Sequence, residues 1–374
     1  MKKNVLYINH ETCSIGGCTY SLVNMLNAVK DFVNPIVLFR SRGVAFDYMT
    51  GLGFKTIIVP FKLNIVTSSS RKWARIPRKI RDNVINNLAL FQLQKIVKDN
   101  NIQIIHSNTS VFTIGLQLAK KMKIPHVWHL REYQNLDFNM RPFCGWEKFY
   151  KLLHSSDAII SITKPIEKHF KIPNRSNTIV LFDAVRSSEE VSYKPKEKFF
   201  LFCGRVCKAK GIEDAIDIFS KFCEKDNSFS LKIAGLYDLN YKENLLTKVK
   251  GSKAEGKLEF LGFCDDIKKL MLYATSLLMT SICEAQGRVT VEALFYGCPV
   301  LGRNSGGTKE IIQDGINGLL FEDTEEAVNK LLELVHNQEK TISIIENGHK
   351  TAINFFSEES YGQKIDVLYN QLLK

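Results

Sequence analysis

Two carboxylates, two cations and several glycines fall where apolar runs of this chain end and helical periodicity begins. Glu284 and Glu292 stand eight residues apart in EAQGRVTVE. The run SLLMTSI (276–282) before them reads as a buried strand. RVTVEALFYG after Gly287 reads as a helix, and Gly297 ends it before the next strand, PVLG (299–302). A helix that starts where a strand stops leaves backbone N–H groups unpaired and favours negative charge. Gln286, Gly287, Arg288 and Val289 occupy that turn. Their amides suit a diphosphate, and the two carboxylates suit hydroxyl groups, which together fit a nucleotide sugar.

A second strand end carries Gly204-Arg205-Val206 and then Lys210-Gly211. A guanidinium grips two phosphate oxygens at once, and an ammonium adds a compact charge. Gly235 in IAGL and Gly262 in FLGF end two more strands, where backbone can approach a base or ribose; plain turn glycines are an equal reading. Early in the chain, Gly16-Gly17 lies between the first strand and the first helix, a place for close backbone approach or merely a tight turn. His129 in WHLRE ends a strand. A lone histidine is more often a satisfied structural residue, but a strand-end position facing a cleft favours function. His106 is similar and ranks lower. Arg131 and Glu132 either pair with each other or meet an acceptor.

The elements that must position these residues are those of an α/β protein. NVLYIN (4–9), PIVLF (35–39), KTIIVP (55–60), IQIIHSN (102–108), PHVWHL (125–130), DAIISI (157–162) and TIVLF (178–182) are short and nearly continuously apolar, as strands covered on both faces must be. Helical periodicity separates them, which argues for a parallel sheet. RSSEEVSYKPKEK (186–198) then interrupts the pattern, and strand–helix alternation restarts behind it. The expected organisation is a first domain over 1–186, a linker over 187–198, and a second domain over 199–357. A last helix over 358–373 can pack on either half.

Composition bounds the partners. An apolar content of 45% and a charged content of 24% are those of a soluble globular protein, and no apolar run approaches a membrane span. The nine scattered cysteines read as reduced thiols of a cytoplasmic protein. The net charge of +12 is uneven: residues 1–187 hold 27 Lys/Arg against 11 Asp/Glu. The densest basic stretch is 71–81, with Arg71, Lys72, Trp73, Arg75, Arg78 and Lys79. It reads as a solvated helix face or as an element seated on anionic lipid, on the inner face of the plasma membrane. Nucleic acid ranks below both, because no stacking platform accompanies the charge.

Through these residues the second half resembles the nucleotide-binding domain of retaining glycosyltransferases of family 4. These have the GT-B fold, two facing Rossmann-like domains with a cleft between them. The resemblance runs through Gly16-Gly17, His129, Gly204-Arg205, Lys210-Gly211, Glu284, Gly287, Glu292-Ala293, Gly306-Gly307, Glu310 and Asn317-Gly318, and is specific over about 200–322. It implies that Arg205 and Lys210 bind the departing diphosphate, Glu292 the ribose, and Glu284 the transferred sugar. His129 would lie near the reacting carbon, and the first domain would hold a saccharide or lipid-linked saccharide. Two positions depart from the family pattern: Gln286 replaces an aromatic, and Asp183-Ala184 replaces Asn-Gly. No Asp-x-Asp motif is present, so no metal cofactor is expected and the cations would serve in its place. A GT-B epimerase or phosphorylase and a non-catalytic nucleotide-sugar-binding protein are the alternatives.

Overall fold

Tyr7 and Val5 point to one side of the first strand and Leu6 and Ile8 to the other, yet all four are fully buried. Alternate side chains leave a strand on opposite faces, so helices must cover both faces of the sheet. The computed structural model, which describes residues 2–13, 15–67, 75–188, 194–264, 266–282 and 284–374, has this arrangement twice. In the first sheet the strands are β1 (Lys3–Ile8), β2 (Val33–Phe39), β3 (Lys55–Ile58), β4 (Ile104–Ser107), β5 (His126–Leu130), β6 (Ala158–Ser161) and β7 (Thr178–Val180). They lie in the order β3-β2-β1-β4-β5-β6-β7, all parallel. In the second they are β8 (Glu197–Cys203), β9 (Ser230–Ala234), β10 (Leu258–Gly262), β11 (Ala274–Met279), β12 (Val300–Arg303) and β13 (Leu319–Phe321). Their order is β10-β9-β8-β11-β12-β13, again parallel.

The chain forms two units, Met1–Ala184 with Glu358–Lys374, and Val185–Ser357. Polypeptide therefore passes between them twice. Composition leaves the last helix free to join either half; the Glu358–Leu372 helix joins the first, where Tyr361, Ile365, Leu368 and Tyr369 complete a core with Tyr7, Leu22, Leu26 and Val37. On the opposite face, Leu90, Leu93 and Val97 of the Arg75–Asp99 helix cover Leu6, Ile8 and Leu38. Glu197 and Lys198, which their charge assigns to the linker, are already strand residues at the entry of β8. A short antiparallel pair, Ile65–Thr67 with Met140–Pro142, had no legible signal because each strand has three residues. Among the described residues, no helix is long and apolar enough to cross a membrane.

Candidate functional site

In the second unit the chain starts at β8, moves to β9 and β10 on one side, then returns to β11 on the other. The loops leaving β8 and β11 therefore part, and ligands of open α/β sheets sit in that crevice. The β8 loop carries Arg205, which is exposed, and a single 3₁₀ turn, Lys208–Lys210. The β11 loop carries Ser281 and Glu284. Gly211 lets the two loops meet: its φ is 71° and a side chain there would lie 2.1 Å from the Thr280 carbonyl. Thr280 Oγ1 donates to Gly211 O at 2.7 Å, closing the seam. Held this way, the Lys210 ammonium pairs with the Glu284 carboxylate, which also accepts from Ser281 Oγ at 3.3 Å. The lysine is 37% exposed and the glutamate 15%, so the pair sits at the mouth of the crevice.

Glu284 is braced from behind. Gly306 (φ 55°) lies so close that a side chain would meet Glu284 O at 2.7 Å, and Gly307 N donates to the same oxygen at 2.7 Å. Gln286 is buried. Gly287 caps the Arg288–Phe295 helix, whose Thr290 and Val291 amides donate to its carbonyl; Arg288 and Val289 form the first turn. Glu292 follows one turn in, 3.7 Å from the Arg288 guanidinium. Burial pushes its carboxyl upward, against the opposing pull of Arg288 and Arg186. Gly204 N donates to Ala234 O at 2.9 Å and Gly235 N to Gly262 O at 2.7 Å, so these three glycines stitch neighbouring strand ends together. Arg303, at the end of β12, pairs with Asp214 and donates to Thr280 O at 3.2 Å. No local spacing announces that pair, because its members lie 89 residues apart.

The first unit departs further from expectation. Gly16 does precede the Gly17–Val29 helix, but Glu11 reaches back over that N-terminus, and its carboxylate accepts from Thr19 N at 2.8 Å. The anion-binding position near Gly16-Gly17 is thus occupied by the chain's own carboxylate, which suits the helix dipole. His129 does not face outward. It is the penultimate residue of β5 and fully buried. Its Nδ1 lies 3.2 Å from Arg131 and 3.2 Å from His106 Nε2, and its Nε2 lies 3.5 Å from Asp183. Arg131 pairs with Asp183 rather than with Glu132, whose carboxylate accepts from Ser110 N and Oγ at 2.9 and 2.7 Å. Arg78 is tied to Asp82 and to Ile65 O, whereas Lys79 is exposed. Arg71, Lys72 and Trp73, and the side chain of Arg75, lie outside the described residues.

A guanidinium can only donate, so His129 Nδ1 must accept, and its proton sits on Nε2 towards Asp183. His106 then donates from Nε2 and accepts at Nδ1 from Tyr369 OH, 2.7 Å away, which in turn accepts from Tyr7 OH at 3.0 Å. One directional chain thus runs from Tyr7 through Tyr369 and His106 to His129, whose Nε2 lies near Asp183 without a hydrogen bond. No three His, Cys, Asp or Glu side chains among the described residues converge to hold a metal ion.

Residues 186–351 match the sequence profile of the family described as glycosyl transferases group 1. An uncharacterised glycosyltransferase of Methanocaldococcus jannaschii is 30% identical over 353 residues, 92% of either chain. The chain belongs to the group 1 glycosyltransferases. Alpha-monoglucosyldiacylglycerol synthase of Acholeplasma laidlawii is 25% identical over 336 residues, covering 80% of this glycosyltransferase and 82% of that enzyme. Anabaena HepE in complex with UDP superposes with a TM-score of 0.80 at 18% identity, over 99% of this chain and 100% of its own. The α/β architecture of two parallel sheets is therefore GT-B.

The buried histidines are expected to make the stability of this glycosyltransferase depend on pH. Burial, with Arg131 beside them, holds His106 and His129 well below the usual histidine range; burial, with Lys120 nearby, takes His126 down to about 3. Unfolding lets each bind a proton below about pH 6.5, so stability falls as pH drops through that value. Glu132 acts in the opposite sense. Burial raises its carboxyl to about 7 despite the Ser110 hydrogen bonds, so its contribution is present at low pH and lost as pH rises towards 7. Burial also lowers His10, to about 4, and His169, and raises Asp137, so in the first unit the lowered histidines outnumber the raised carboxyls. The urea midpoint followed by tryptophan fluorescence is expected to fall between pH 7 and pH 5. Trp73, Trp128 and Trp146 all belong to the first half of the chain and report on it. A midpoint flat over that window would refute the neutral-histidine assignment.

Proposed function

We propose that the protein transfers a sugar from a nucleotide-diphosphate sugar to a saccharide or lipid-linked saccharide, retaining anomeric configuration and using no metal. The observation that carries this reading is the meeting of Lys210 and Glu284 at the β8/β11 switch point, with Arg205 exposed on the same β8 loop. The bond from the anomeric carbon to the diphosphate oxygen breaks, leaving an oxocarbenium-like sugar. The Arg205 guanidinium and Lys210 ammonium stabilise the charge gathering on the diphosphate, where a divalent ion would otherwise serve. Glu284 accepts from sugar hydroxyls and Glu292 from the ribose. The acceptor oxygen bonds to the anomeric carbon on the face the diphosphate leaves, and its proton passes to the departing phosphate oxygen. His129 is a positioning residue that orients Arg131 and Asp183. HepE binds UDP and the Acholeplasma relative is named for a glycolipid, so a UDP-sugar and a lipid-borne acceptor are the first substrates to try. A place in surface polysaccharide or glycolipid synthesis, at the cytoplasmic face of a membrane, follows from that reading.

A panel of UDP-, GDP-, ADP- and dTDP-sugars, tested by saturation-transfer NMR in EDTA, separates the possibilities. One base class is expected to bind, and Arg205→Ala to weaken it about tenfold or more, as loss of a charge-assisted hydrogen bond does. No binding by folded protein across the panel would overturn the proposal.

A further inference from the structure

The Arg75–Asp99 helix is apolar on two sides. Ala89, Leu90, Leu93 and Val97 are buried in the first unit. Ile80, Val84, Leu88 and Phe91 are 62%, 54%, 63% and 77% exposed. At 3.6 residues per turn these four fall within an arc of about 80°, directly opposite the buried face, and extend for about 16 Å along the axis. Lone exposed apolar residues are ordinary, but four in one row are not.

Charge decides what would cover them. The helix sequence has six Lys/Arg and two Asp. Lys79 and Arg81 stand exposed at one end of the row, Lys95 and Lys98 at the other. Asp82 is turned inward, where Arg78 and Arg81 pair with it, and Asp99 is the last residue. A second copy laid on this face would set cations against cations. An acidic, water-facing lipid headgroup layer over an apolar interior matches both parts. We infer that this helix is an interfacial membrane anchor, with Ile80, Val84, Leu88 and Phe91 entering the acyl boundary and the flanking Lys and Arg held by anionic headgroups. The anchor is independent of the donor chemistry proposed above and is measured without turnover.

The test uses the full chain in vesicle flotation. Binding is expected to vesicles of equal parts phosphatidylcholine and phosphatidylglycerol, to fall with added salt, and to be at least tenfold weaker to phosphatidylcholine alone. Leu88→Glu with Phe91→Glu should lose at least tenfold in partitioning while nucleotide-sugar binding stays at the wild-type level. Ile80→Ser with Val84→Ser on the same row provides a second reading if the first pair misfolds. Wild-type protein that stays in the aqueous fraction, or a double variant that floats as well as wild type, overturns the inference. So does a dimer in sedimentation velocity that Leu88→Glu with Phe91→Glu converts to monomer, since the row would then be a self-interface.

Discussion

Lys210→Ala is expected to lower the turnover of sugar transfer by about 10²–10³-fold, the usual cost of removing one preorganised donor from a developing oxyanion. Stability should hardly change. The lysine is 37% exposed and pairs with Glu284, and ion pairs in such settings contribute about 0–1 kcal/mol. The disparity is the test, because a purely structural ion pair would lose both or neither. Lys210→Arg should recover only part of the rate: a planar fork cannot reproduce a compact ammonium on a 3₁₀ turn. Glu284→Gln keeps the loop braced through Gly307 N but removes the charge that holds Lys210, so it should raise KM for the donor as well as lower kcat. The measurements are initial rates with the donor identified by the binding panel and thermal midpoints of the same preparations. A Lys210→Ala enzyme within threefold of wild-type turnover would remove Lys210 from the mechanism.

Much of this arrangement was legible because its signals are local. Continuous apolar runs gave the strands, and Glu284, Gly287 and Glu292 sit within one strand–turn–helix segment whose geometry follows from spacing. What was not legible depends on distant partners. Lys210 and Glu284 are 74 residues apart, and only the order of the second sheet brings them together. His129 read as outward because strand ends usually meet loops, but β5 runs on to Leu130 and the ring turns into the unit beside Asp183. Gly16-Gly17 read as an opening for a ligand, while Glu11 supplies the anion from within the chain. The outer row on the Arg75–Asp99 helix is helically periodic, but the polar residues between its members and the charge before it give that stretch the pattern of a solvated face.

Asp183→Ala is expected to destabilise the first unit by about 3–5 kcal/mol, the cost of leaving one partner of a buried ion pair alone. Both side chains are almost sealed, Arg131 at 4% exposure and Asp183 at 5%. The guanidinium keeps Asn108 as an acceptor through Oδ1 at 3.0 Å and O at 3.2 Å, yet neither is charged. His129 Nε2 loses the nearby carboxylate, 3.5 Å away, at the same time. Arg131→Met added to Asp183→Ala should recover most of the loss, since well-packed apolar replacements of buried ion pairs are often neutral or stabilising. That recovery should not extend to activity if Arg131 and Asp183 shape the acceptor side of the site. Urea denaturation followed by the tryptophans measures the first effect, and transfer rates of the double variant measure the second. A single-variant loss below about 1 kcal/mol would mean that water reaches the pair. A stable double variant with wild-type transfer would reduce the chain from Tyr7 to His129 to a packing device. A stable double variant without transfer would make the Asp183-Ala184 departure a functional choice, in which a buried carboxylate fixes the arginine and, through His129 and His106, ties it to the C-terminal helix.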